Sequence, residues 1–159
     1  MSRSLLTLAM FVVCSVSAFG QQPEAKPTPA NAKYDAELAK KLGADERGMR
    51  SYVLVILKTG PKTIPAGKER DEMFAGHFAN MTRLAKEGKL VLAGPLDRVD
   101  GWRGLFVFAV DSIEEAKKLT ETDPVIVKGE MIAEYHKYYG SAGLMMVNEI
   151  HEKIAKNPM

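Results

Sequence analysis

Two stretches of this chain, YVLVIL from Tyr52 and LFVFAV from Leu105, are apolar at consecutive positions, not alternate ones. A strand turns successive side chains to opposite faces, so runs without alternation predict strands buried on both sides of their sheet. Helices laid on one face leave the other in need of a cover. A second copy of the chain, packed sheet against sheet, is the simplest one. The terminal helix expected over residues 144–154 could cover it within a single chain.

The other elements follow from local signals. Asp35 as N-cap and Gly43 just past the end predict a short helix over 35–42. The first strand is expected over 51–58, bounded by Gly60 and Pro61. A long helix over 69–87 stops at Gly88, and KLVLAGP then reads as a strand. Asp100 and Gly101 favour a hairpin turn before the strand GLFVFAV. Asp111 opens a helix through DSIEEAKKLT, and Asp123, Pro124 and Gly129 frame a turn or two of helix as cap, first position and stop. EMIAEYHKYYG is the last strand, and SAGLMMVNEIHEKIAKN reads as a terminal helix. Strand, helix, strand, strand, helix, short helix, strand is the split order of a ferredoxin-like α+β fold, an antiparallel sheet with helices on one face.

Ahead of this core, residues 1–20 combine a basic start at Arg3, an apolar run over 5–16 and a small-residue end at Ala18 and Gly20. That is the pattern of a cleaved secretory signal. A retained anchor is the competing reading, though the apolar run is shorter than the ~20 residues that span a bilayer. The expectation is an exported protein, periplasmic or secreted, with no membrane span after cleavage. Residues 21–33, QQPEAKPTPANAK, are polar and proline-rich and read as a disordered tether. Residues 34–50 form an N-terminal helical extension, 51–139 the domain proper and 140–159 a C-terminal helix.

Cys14, the chain's one cysteine, lies in the signal, so a mature chain would contain no disulfide or thiolate chemistry. The formal charge of the whole chain is +2, with acids and bases interspersed, and nothing in it asks for nucleic acid. No paired-histidine motif, carboxylate-rich loop or glycine-rich phosphate loop occurs, so neither a metal nor a cofactor is expected.

The residue that stands out is His77. On a helical wheel Phe74, Phe78, Met81 and Ala85 form an apolar stripe, and His77 falls roughly 60° to one side of it. It is either a packed histidine satisfied by a carbonyl or a general acid–base group, for which an unperturbed pKa near neutrality suits it. A working histidine needs a carboxylate to fix its tautomer. Asp97, Asp100, Asp111 and Asp123 are available, and capping by Asp123 leaves a second carboxylate oxygen free. His136 shares a strand face with Glu134 and Tyr138, and His151 reads as surface. Ser51 and Ser141 lack a nucleophile's context, and Trp102 reads as an interface or pocket-rim aromatic.

These pieces taken in order, YVLVILKTGP, then GHFANMTRLAKEGKL, AGP, WRGLFVF, SIEEAKKL and DPVIVKGEM, resemble the YCII-related (YciI-like) family of small dimeric α+β barrel proteins. The resemblance implies a ferredoxin-like protomer paired through its sheet. It also implies a pocket in which the helix histidine faces the aspartate of the Asp-Pro motif, here His77 and Asp123, with Gly94 and Pro95 lining the same space. Some members of that family are similar to dehydrochlorinases. The expected function is therefore a cofactor-free lyase or isomerase in which His77 and Asp123 move a proton on a small cyclic or aromatic molecule, with Trp102 at the rim. The alternatives are a non-catalytic small-molecule-binding dimer, and an exported interaction protein that docks through residues 144–154.

Overall fold

A computed structural model of the chain describes residues 33–156. The expected signal, and the tether apart from its last residue, lie outside the described residues. The elements are α1 (Ala36–Leu42), β1 (Met49–Thr59), α2 (Lys68–Lys86), β2 (Leu90–Pro95), β3 (Trp102–Phe108), α3 (Ile113–Thr120), α4 (Pro124–Val127), β4 (Met131–Ser141) and α5 (Val147–Ile154). Turns of 3₁₀ helix occupy Val99–Gly101 and Ala142–Met146. The strands form one antiparallel sheet in the order β2-β3-β1-β4. This is the ferredoxin-like α+β arrangement.

The caps explain most of the boundaries. Asp35 accepts from the Leu38 N–H at 2.9 Å, and Gly43 closes α1 in the left-handed region at φ 66°. At α3 the cap is Ser112, which accepts from the Glu115 N–H at 3.1 Å, and not the expected Asp111. A hydroxyl one residue later meets the N–H three residues ahead, the geometry a cap requires. The C-terminal segment also departs from a single helix, because residues 142–146 wind as 3₁₀ before α5 begins.

Register explains where the apolar runs go. Val53, Val55 and Leu57 of β1 face the helices together with Phe106 and Phe108 of β3, and they pack on Met73, Leu84, Leu119 and Val125. The alternate residues Tyr52, Val91 and Val107 form a second cluster with Leu54, Leu105, Leu144 and Met145. The C-terminal 3₁₀ segment therefore covers one end of the second sheet face. Further along that face Leu92 and Ile132 are exposed.

Helix α2 corrects the helical wheel. Its inward line is Met73, His77, Asn80 and Leu84, while Phe78 is 49% exposed. The wheel assumed that the most apolar residues mark the buried line. Here two polar side chains lie on it, each held by a partner from the region between α3 and α4: Asp123 for His77 and Thr122 for Asn80.

The connection between β1 and α2 is tied down from below. The Gly60 and Lys62 N–H groups donate to the carbonyls of Glu130 and Gly129 at 2.9 and 3.1 Å. A Cβ on Gly60 would stand 2.2 Å from the Gly129 oxygen, so no side chain fits there. The buried Glu130 carboxylate accepts from the Ile64 N–H at 2.8 Å and from Arg70 Nη1 at 2.7 Å. Arg70 also donates to the Ile64 carbonyl at 2.9 Å. Burial alone would raise the Glu130 pKa. The Ile64 N–H, the Arg70 hydrogen bond and the charges of Arg70 and Arg103 outweigh it and hold the group below its ordinary 4.5.

A depressed folded-state pKa contributes stability that is complete above the ordinary value and fades as pH falls through the folded one. Glu130→Gln is expected to lose about 3 kcal/mol at neutral pH, the low end for breaking a buried pair, because the Arg70 side chain is 26% exposed. The variant should also lose less further stability than the wild type between about pH 5 and pH 3. Urea unfolding followed at several pH values measures both.

Candidate functional site

His77 and Asp123, 46 residues apart in sequence, meet at 2.7 Å between Nδ1 and Oδ2. What allows it is a close approach of two helices. A Cβ placed on Gly76 would lie 2.9 Å from Cγ of Pro124, so the bare glycine lets the first turn of α4 come up against α2 beside the histidine. Asp123 has two tasks at once: Oδ1 caps α4 by accepting from the Val125 N–H at 3.1 Å, and Oδ2 takes the imidazole. The capping and charge-partner readings of this aspartate are therefore compatible, one oxygen for each.

With a carboxylate at Nδ1, the neutral ring carries its proton there and leaves the Nε2 lone pair available. Asp123 is buried, and the His77 side chain is 10% exposed. Among the described residues no fully buried side-chain nitrogen or oxygen lacks a partner. Nε2 makes no hydrogen bond, so it belongs to the accessible part of the ring. The ring sits among three phenylalanines: Phe74 edge-on at 6.1 Å, Phe78 tilted at 5.4 Å and Phe106 stacked at 6.0 Å between centroids. Beside it, Asn80 accepts from Arg83 at 2.7 Å and from the Thr122 hydroxyl at 3.0 Å. This network joins α2 to the residue just ahead of Asp123.

The other expected site residues are distributed by register. Phe106 pairs with Ala93, and Pro95 with Gly104, so Pro95 lies on the sheet side that carries His77. Gly94 pairs with Leu105, and Trp102, 41% exposed, with Lys58. Trp102 lies beyond a bulge in β3 that breaks its alternation, whereas Gly94 and Lys58 belong to the opposite face, since alternation sends neighbours of Ala93 and Leu57 the other way. His136 is also there, 2.8 Å from Glu134, which in turn holds Lys58 at 3.1 Å. His151 is exposed in the last turn of α5. Among the described residues no three His, Cys, Asp or Glu side chains gather as a metal ion would require. None of their helices is long and apolar enough to cross a membrane.

Sequence reasoning did not place Asn80, Thr122 or the phenylalanines at the site. A signal existed for two of them. Asn80 lies three residues after His77 on the same helix, and Thr122 immediately precedes Asp123. Two open clefts, of about 280 and 210 Å³, lie around Ser51, Asp111 and Tyr139, away from the histidine.

Comparison with known proteins agrees with the core. The sequence profile of the YCII-related domain matches residues 51–136. An uncharacterized protein, YjpA, of Bacillus subtilis (strain 168) is 31% identical over 81 residues, spanning 51% of this chain and 85% of that protein. Among solved structures, the 5-chloro-2-hydroxyhydroquinone dehydrochlorinase TftG of Burkholderia phenoliruptrix AC1100, in complex with 2,5-dihydroxybenzoquinone, is 22% identical. It covers 52% of this chain and 90% of its own, with a TM-score of 0.38. The chain belongs to the YCII-related family.

Two substitutions separate the tasks of Asp123. Asp123→Ala removes the cap and strands the buried imidazole N–H, an expected loss of about 2–4 kcal/mol by thermal or urea unfolding. Asp123→Asn keeps the cap and costs less. It should nevertheless shift the His77 ring away from the Nδ1-protonated tautomer, which ring ¹⁵N chemical shifts read directly.

Proposed function

We propose that this protein is a cofactor-free acid–base enzyme acting on a small cyclic or aromatic organic compound. Nε2 of His77 takes a proton from substrate carbon or hydroxyl, and Asp123 stabilises the imidazolium and keeps it oriented. Returning that proton elsewhere on the substrate gives an isomerisation. Departure of a leaving group with its bonding electrons gives an elimination, after which the imidazolium passes its proton to water. The observation that carries this reading is the 2.7 Å bond from Nδ1 to a buried carboxylate, which leaves Nε2 as the accessible nitrogen. The phenylalanines around the ring offer flat apolar surface, which suits a flat substrate. Membership of the YCII-related family accords with this chemistry.

The low exposure of the His77 side chain favours a second reading, in which the same residues bind a small molecule and leave it unchanged. His77→Asn, assayed against lactones and halogenated phenols, distinguishes the two. The catalytic reading expects turnover to fall by about 10²–10⁴-fold. Turnover equal to wild type would refute it, and an unaltered ligand retained in native mass spectrometry would support the binding reading.

The working form we propose is an exported homodimer paired through the sheet. The exposed Leu92 and Ile132, beside the half-buried Leu54 and Leu105, provide the apolar surface for the second copy. The basic-apolar-small pattern of residues 1–20 supports export. Protein isolated from its own host should begin near Gln21 and show twice the chain mass in light scattering. Leu92→Glu with Ile132→Glu should halve that mass without unfolding the chain, since both side chains are already exposed.

A further inference from the structure

The acid–base reading uses one end of the His77 surroundings and leaves the other without a task. Arg70 precedes His77 by two turns of α2, about 10 Å along the axis. Arg103 precedes Phe106, on which the imidazole stacks, by three residues of β3, again about 10 Å. Helix and strand thus run from the histidine to a common place, and their two guanidiniums meet there at Glu130 Oε1, Arg70 at 2.7 Å and Arg103 at 3.8 Å. Between the two ends stands Phe74: Arg70 lies 4.9 Å above its ring, and the ring is nearly perpendicular to that of His77.

Glu130 is satisfied without Arg103. Its two oxygens take Arg70 and the Ile64 N–H, and 3.8 Å is too long for a hydrogen bond from Arg103. Two cations therefore face one carboxylate, an excess of one positive charge. The Arg103 side chain is 12% exposed, yet its guanidinium makes no hydrogen bond within the described chain. Among the described residues no fully buried side-chain nitrogen lacks a partner. The unpaired N–H groups therefore reach accessible surface while the stem is packed away. A planar fork of donors, charged at every relevant pH and held by its stem, is suited to a carboxylate or other oxyanion.

We propose that Arg103 is the anion-binding residue of the His77 site, and that the site takes a small ring compound carrying a carboxylate or an ionised hydroxyl. This rests on the reading of His77 as the reacting end and adds the substrate's charge to it. The ring lies along the phenylalanines, its anionic oxygen on Arg103 and its reacting atom under Nε2.

The test is calorimetric titration of the purified full chain with 2,5-dihydroxybenzoate and with its uncharged analogue 2,5-dihydroxybenzamide. The acid should bind at least about tenfold more tightly, the size of one charge-assisted fork. Arg103→Met, which keeps the packed stem, should abolish that preference by lowering the acid's affinity to about that of the amide. If Arg103→Met does not fold, Arg103→Lys serves: it keeps the charge, loses the fork and should weaken the acid severalfold more than the amide. Equal affinities in the wild type, binding of neither probe, or a preference that survives these substitutions overturns the proposal. Its failure is distinct from failure at His77. The charge preference is a binding measurement that stands whether or not His77→Asn changes turnover, and a loss of turnover in His77→Asn stands whether or not Arg103 selects anions.

Discussion

The arrangement depends on one carboxylate having two oxygens. Asp123 ends the α3–α4 connection by accepting from the Val125 N–H on one carboxylate oxygen and takes the imidazole of His77 on the other. A four-residue helix such as α4 has too few internal bonds to hold itself, so its first turn depends on that cap. A histidine on the buried line of α2 would be costly without a partner. Each requirement meets the other, and Gly76 with Pro124 brings the backbones close enough for both to be met by one side chain.

The order of elements was legible because its signals are local. Apolar runs, caps and glycine stops act over a few residues, and a chain of this composition offers few other arrangements for them. The departures from those local signals are small, and each has a local cause. At α3 the cap is Ser112 and not Asp111, because a hydroxyl there fits the N–H of Glu115. At α2 the stripe is rotated, because His77 and Asn80 replace apolar residues on the inward line once partners neutralise the cost of burying them.

The site was less legible, for a physical reason. His77 and Asp123 could be singled out one at a time, but their contact spans 46 residues and was supplied by a family resemblance, not by spacing. The Arg70–Glu130 pair spans 60 residues and neither member looks unusual in its own segment. Gly76 was a further local signal: a glycine inside a helix, next to the histidine, marks a place where another element comes close. Gly94 was placed at the pocket by motif, and the strand register pairs it with Leu105 on the other face of the sheet.

Asp123 and Glu130 are the two ends of an eight-residue stretch of chain. The first grips α2 at His77, and the second grips it two turns earlier at Arg70. A rod pinned at one point can still pivot and roll; pinned at two, about 10 Å apart along its axis, it loses both motions. The same stretch continues directly into β4, whose eleven-residue pairing with β1 fixes it to the sheet. The orientation of the imidazole is therefore referred through two rigid pins to the most extensively paired strands in the molecule, and does not depend on the packing of the exposed phenylalanine beside it.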